Sequence, residues 1–287
     1  MRFWLWLNNL RWFTRCPLKL AVFVVGTILV LFPKIWLMPT VMHRYRDMNA
    51  MLEPNNPHLA ELEERVRADL PPNATPRDAL PVVQRAVYER IPYGWDWDVW
   101  GVAEYLPTVD EVFEHGREDC DGRAVVAASL LRRLGHDAWL VSDLLHVWVE
   151  TPEGQTMSPG SGEKTLEGTT TGTVTTVITP GFAQNAARGL AFGAAVFPLT
   201  RELIILSLFC ALALQPRSPI WRRVIGCLLV AIALTAIRCV GQNIGRDAQT
   251  IDVLVITWAV TLLLTGWLLL TLRAEVSRPR SVATRPE

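Results

Sequence analysis

Cysteine is scarce and badly placed for cross-linking. Of five cysteines, Cys16, Cys210, Cys227 and Cys239 lie in or beside apolar stretches, which leaves Cys120 alone in the polar part of the chain. That excludes a disulfide framework, and a lone thiol in an oxidising compartment is either buried or chemically used. Net charge is lacking too, because 28 basic residues balance 28 acidic ones. No internal repeat is present, so a solenoid or propeller is excluded. No set of four zinc ligands occurs at the usual spacing; His115 and His136 read as a helix-end and a turn residue, and no metal or cofactor is expected.

Apolar length is what the chain has instead. Leu20–Met38 is interrupted only by Pro33 and Lys34, and Val253–Leu272 is apolar apart from threonines. Phe197–Leu214 contains Arg201 and Glu202, and Val224–Gly241 has Arg238 near one end. About 20 apolar residues cross a bilayer as a helix. Four transmembrane helices are therefore expected at 20–38, 197–214, 224–241 and 253–272, with buried or interfacial helices as the alternative for the middle two. No A-x-A-like site follows the first stretch, so it reads as an anchor rather than a cleaved signal.

Arginines and lysines flank these stretches unevenly. Arg2, Arg11, Arg15 and Lys19 precede the first; Arg217, Arg222 and Arg223 separate the second from the third; Arg273, Arg278, Arg280 and Arg285 follow the fourth. With four spans all three groups fall on one side, which the positive-inside rule makes cytoplasmic. Residues 1–19 and 273–287 are then cytoplasmic, and 39–190 form an extracytoplasmic domain. That domain carries about ten net negative charges, balanced by the basic membrane part. An acidic domain argues against nucleic acid as a partner.

Within it, Asn56-Pro57 and Thr75-Pro76 each read as a helix start, with Leu59, Leu62, Val66 and Leu70 at helical spacing behind the first. The second runs to about Ile91 before Pro92. "YGWDWDVW" (93–100) is too rich in aromatics and acids for an ordinary linker. Thr108-Val109-Asp110-Glu111 is a capping box, closed by Gly116. "EDCDGRAVVAASLLRRLG" (118–135) follows as a core helix with Ala124, Ala127, Leu131 and Leu134 on one face. Beyond Gly135 the pattern turns to strands: "AWLVS" (138–142), "HVWVE" (146–150), a turn at "TPEG", a return over "GQTMSPG", and "TTTGTVTTVIT" (169–179). Helices first and an antiparallel sheet afterwards make an α+β domain.

Why place a thiol between two aspartates at a helix start? The helix N-terminus favours thiolate, whereas Asp119 and Asp121 oppose it, so a nucleophilic Cys120 needs a cation nearby. "TVDEVFEHGREDCDGRAVVAASLLRRLGHDAWLV" followed by "HVWVE" resembles the core of the transglutaminase-like family, within the papain-like cysteine-enzyme fold. The resemblance spans about residues 80–165 and rests on a cysteine opening a helix, a glycine turn, a strand, and then His-x-Trp-x-Glu. It implies Cys120 as nucleophile and His146 as base, with an acyl-enzyme formed on a peptide or protein amide and passed to water or an amine. An imidazolium at His146 is the expected cation. Two departures stand out: Ser158 takes the third position, where the family has a carboxylate or amide, and Glu118 stands where it usually has glycine.

Ser158 can accept from the imidazole but cannot stabilise its charge as a carboxylate does. Glu150 lies about 13 Å along the strand at ~3.3 Å per residue, too far to replace it. Asp143 is at odd spacing, which on a regular strand points it to the other face. An oxyanion hole needs the Cys120 N–H and one more donor, for which Tyr93 and Trp95 are the nearest aromatics. Two readings follow: a membrane-anchored cysteine enzyme acting on amides, or a non-catalytic module that binds peptides or assembles with membrane partner proteins. The topology has its own test. A reporter fused after Glu287 should be active on the cytoplasmic side; activity confined to the other side refutes the orientation.

Overall fold

The computed structural model describes residues 2–143, 146–158, 164–168, 174–176, 182–215, 218–244 and 253–272. In chain order the helices are α1 (Arg2–Asn9), α2 (Trp12–Leu31), α3 (Met38–Arg46), α4 (Ala60–Asp69), α5 (Pro76–Arg90), α6 (Asp96–Val99), α7 (Val109–His115) and α8 (Cys120–Arg133). Five strands follow: β1 (Trp139–Ser142), β2 (Val147–Thr151), β3 (Gly154–Thr156), β4 (Leu166–Gly168) and β5 (Val174–Thr176). The remaining helices are α9 (Phe182–Val196), α10 (Leu199–Ala213), α11 (Ile220–Ile244) and α12 (Val253–Thr271). The chain divides into two compact units, Ile28–Val196 with Gly241–Thr250, and Met1–Thr27 with Phe197–Val240 and Ile251–Glu287.

The apolar unit differs from expectation at its helix ends. Among the described residues, three helical segments, Phe13–Leu31, Ile220–Asn243 and Leu254–Thr271, are long and apolar enough to cross a membrane. A fourth exists if Ala186–Val196 and Leu199–Ala213 make one broken span. The stretch 20–38 is not one helix. α2 starts at Trp12, taking in Arg15 and Lys19, whose side chains donate to Asn8 and, for Lys19, also to Leu212 O. It stops at Leu31, because Pro33 supplies no N–H and disfavours helix at the residue before it. The stretch 197–214 is likewise cut short, for Pro198 caps an α10 of 15 residues. At 1.5 Å per residue that is about 22 Å, short of a hydrocarbon core of about 30 Å.

The other unit is mixed helix and sheet, as expected. Asn56 caps as read, its Oδ1 accepting from the His58 N–H at 3.0 Å. The Asp78 carboxylate accepts from the Thr75 N–H at 2.8 Å at the head of α5. Thr108 and Glu111 close a reciprocal capping box on α7, at 2.8 and 3.3 Å. Gly116 ends that helix at φ +69°, where a side chain is strained.

The sheet is antiparallel in the order β3-β2-β1-β4-β5. Pro152–Glu153 is the turn that the sequence marks, joining Thr151 to Gly154. β5 realises part of the threonine-rich stretch; its residues 169–173 and 177–179 lie outside the described residues. β4 was not foreseen, since "LEG" has neither alternation nor β-branched residues. In β2 Val147, Trp148 and Val149 are all buried, and α8 packs on this strand.

α8 is the hub of this unit. Every residue from Ala124 to Leu131 is buried, and the helix packs on β2, α5 and α7. Gly122 is required by close packing: a Cβ there would sit 2.5 Å from Glu118 Cγ and 2.9 Å from Pro107 Cγ. Gly122→Ala should therefore destabilise this unit by about 1–3 kcal/mol, the usual cost of overpacking, when read by denaturant unfolding. An unchanged midpoint would show that Glu118 moves aside freely.

Candidate active site

Cys120 is the first residue of α8, and three features of the preceding chain hold it there. Asp119 is the N-cap, its carboxylate accepting from the Asp121 N–H at 3.0 Å. Glu118 pairs with the aromatic segment: its N–H donates to Pro92 O at 3.0 Å and its carbonyl accepts from the Gly94 N–H at 3.2 Å. Its side chain is fully buried, accepting from Trp100 Nε1 at 2.5 Å and from the Asp119 N–H at 3.1 Å. "YGWDWDVW" is thus the strap that carries Tyr93 to the head of α8.

His146 lies one residue before β2, in the turn from β1, rather than in the strand. The turn is closed by Asp143, whose N–H donates to His146 O at 3.2 Å and whose Oδ1 accepts from the His146 N–H at 2.8 Å. Across the sheet, the β2–β3 register continued past Val149–Thr156 sets Ser158 against Val147 rather than His146. Met157 interrupts it with φ +61°, a conformation that non-glycine residues seldom adopt and that clusters at functional sites. Gln84 Oε1 accepts from the Met157 N–H there, at 3.3 Å.

The chain thereby brings Cys120, His146, Ser158 and Tyr93 to one cavity of about 170 Å³, completed by Tyr88, Arg123 and Met157. Trp95 is not in its wall; it stacks on Trp97 with centroids 4.9 Å apart and meets Tyr93 edge-on. His146 also borders a second cavity of about 290 Å³, with Tyr45, Glu104 and Asp121 on its polar side.

Electrostatics within the site oppose ionisation. Burial, then the charges of Asp121 and Asp119, hold the Cys120 thiol well above the usual thiol range, against one favourable contact from the Val147 N–H. The thiol donates to Asp121 Oδ1 at 3.2 Å. Burial also lowers the His146 imidazole; Asp143 raises it and Arg188 lowers it further. Both shifts run against the expected thiolate–imidazolium pair and towards a neutral thiol and a neutral imidazole. Asp121 is itself pushed up to about 6 by burial and by Asp119. Burial, then the negative charges around Cys120, hold Tyr93 above the usual phenol range, so it stays an O–H donor.

Three contributors escaped the sequence reading. Asp143 bears on His146 through a turn, whereas the alternation argument assumed a strand. Arg123 is the cation near Cys120, one helical turn on; its guanidinium donates twice to Ile91 O, at 2.8 and 3.0 Å, beneath Tyr88 and Tyr93. The i, i+3 spacing from Cys120 could have signalled it. Phe192 of α9 brings its ring 5.7 Å from that of His146, and nothing local in the sequence announces that.

Two acidic groups converge closely enough to hold a metal ion, Asp119 with Cys120 and Asp121, and Asp96 with Glu118 and Asp119; neither includes a histidine. His115 sits at the end of α7 and His136 in the turn after α8, as the sequence suggests. No family model matches the chain, nor does any curated protein or solved structure.

The raised thiol has a direct readout. Alkylation of Cys120 by iodoacetamide, followed by mass spectrometry of its peptide, should keep accelerating with pH above the ordinary thiol value of about 8.5. Asp121→Asn removes a neighbouring negative charge and should move the inflection to lower pH. A rate already flat through neutral pH would mean a thiolate at rest.

Proposed function

We propose that the chain is a membrane-anchored cysteine enzyme of the transglutaminase-like kind, acting on amides on the extracytoplasmic side with both termini cytoplasmic. What carries the reading is one observation: Cys120 at a helix N-terminus, His146, Ser158 and Tyr93 all border a single cavity. The flanking arginines support the orientation.

The resting protonation states fit general-base chemistry better than a preformed ion pair. A neutral His146 takes the thiol proton as sulfur attacks the amide carbonyl, so that the S–C bond forms while the proton moves to the imidazole. The Cys120 N–H, at the open end of α8, and the Tyr93 hydroxyl are the donors available to the oxyanion. On collapse the C–N bond breaks and the imidazolium returns the proton to the departing amine. The thioester left behind is released to water or to a second amine. Asp143 is the carboxylate whose charge favours the imidazolium, a part that Ser158 cannot take. Arg123 favours negative charge on sulfur.

A second reading, a non-catalytic module binding peptides or membrane partners, is favoured by the hydrogen bond from the Cys120 thiol to Asp121 and by Ser158 in the third position. Acylation separates the two. The full chain in detergent, treated with p-nitrophenyl acetate, should form an acetyl thioester at Cys120 and turn it over. His146→Ala should slow this by about 10²–10⁴-fold, the usual worth of a positioned acid–base group. Asp143→Asn should cost less and shift the acid limb of the rate profile to lower pH, because it removes the charge that raises the imidazole. Acylation no faster than that of a free thiol, and indifferent to His146→Ala, favours the binding module.

A further inference from the structure

One cavity of the apolar unit shares no residue with the Cys120 site. It has a volume of about 480 Å³, within the roughly 300–1,000 Å³ typical of small-molecule sites. Its walls come from α2, α10 and α12, all in the apolar unit. The polar lining comes from Arg15 and Lys19 near the start of α2, Gln215 just beyond α10, and Thr271 at the end of α12. Arg15, Gln215 and Thr271 lie at or just beyond helix ends, and Lys19, two turns into α2, reaches back to Asn8 ahead of that helix. Deeper along the same helices the lining is apolar: Phe23, Phe209 and Trp267, with the two phenyl rings edge to face at 5.7 Å.

Both cations are fixed in place. Arg15 Nη1 donates to Asn8 O at 3.3 Å, and Lys19 Nζ donates to Asn8 Oδ1 at 2.8 Å and to Leu212 O at 2.5 Å. These three acceptors are neutral oxygens that orient the two side chains. A cleft with two positive charges at its mouth and aromatic walls below has the polarity of an amphiphile with an anionic head. Basic pockets between spans on the cytoplasmic side are where anionic lipid headgroups bind.

We propose that this cavity is a specific site for one anionic glycerophospholipid, its phosphate at Arg15 and Lys19 and an acyl chain against Phe23, Phe209 and Trp267. The site is independent of the proposed chemistry at Cys120.

The test uses the full chain in nanodiscs containing phosphatidylglycerol and phosphatidylcholine of matched acyl chains, with retained lipid counted by native mass spectrometry. Wild type should keep one phosphatidylglycerol in preference to phosphatidylcholine. Arg15→Gln with Lys19→Gln should lower that retention at least tenfold. Arg222→Gln with Arg223→Gln, which removes the same charge outside the cavity, should leave it unchanged. Ala213→Leu fills the cavity without altering charge and should also reduce retention, which keeps the proposal testable if the double charge variant does not fold. Equal losses from both arginine-containing pairs would show unspecific attraction and overturn the site. Displacement of the lipid by soluble glycerol phosphate at millimolar concentration would overturn it too, since the cavity would then hold a phosphate and not a lipid.

Discussion

Crowding of negative charge at the first turn of α8 is the constraint on which the rest of the site depends. The helix is buried along most of its length, so its first residue cannot shift to relieve the crowding. Its N-terminus attracts anions by roughly 0.3–2 kcal/mol. A unit negative charge about 4 Å away repels by about 4 kcal/mol at an effective dielectric of about 20. Cys120 is buried and has an aspartate on either side, and both raise its thiol above the usual range. The aspartates respond in the same way, and burial with mutual repulsion holds Asp119 and Asp96 well above the ordinary carboxyl range.

The same balance constrains any reaction. A thiol held neutral reacts only if its proton leaves as the new bond forms, and that requires a base which is itself neutral. Burial lowers His146 and so supplies that condition. Arg123 and the Val147 N–H then act on the developing sulfur charge rather than on a standing one. An ion pair would ask the site to bury two further charges, and that desolvation penalty can exceed the Coulombic gain.

Much of this arrangement was legible from residue order. A helix-opening thiol, a glycine turn and a hairpin at Pro152–Glu153 suffice to bring Cys120, Ser158 and His146 to one cavity. What escaped has a common cause: each miss involves a place where the backbone leaves its regular period. Asp143 was dismissed by strand alternation, yet it closes a turn. Ser158 shares the cavity with His146, but the β2–β3 register would pair it with Val147, and Met157 at φ +61° ends that ladder. The end of α2 and the start of α10 moved because prolines, rather than hydropathy, determine them. Phe192 arrives from α9, and no local pattern encodes that approach.

Glu118 shows how the chain accommodates a buried acid beside the thiol. A buried glutamate is costly unless its oxygens are paired. Trp100 Nε1 and the Asp119 N–H provide that pairing, and burial still raises the carboxyl to about 7. Space must come from somewhere as well. It comes from position 122, four residues on, where a Cβ would collide with the Glu118 side chain. Glutamate at 118 and glycine at 122 are therefore one solution rather than two. The volume released by the glycine is filled by the glutamate, and its carboxylate ties Trp100 of the aromatic strap to the head of α8. The backbone bridge that presents Tyr93 to the cavity runs through that same residue, Glu118. It thus serves as the anchor that aligns one wall of the cavity with the thiol.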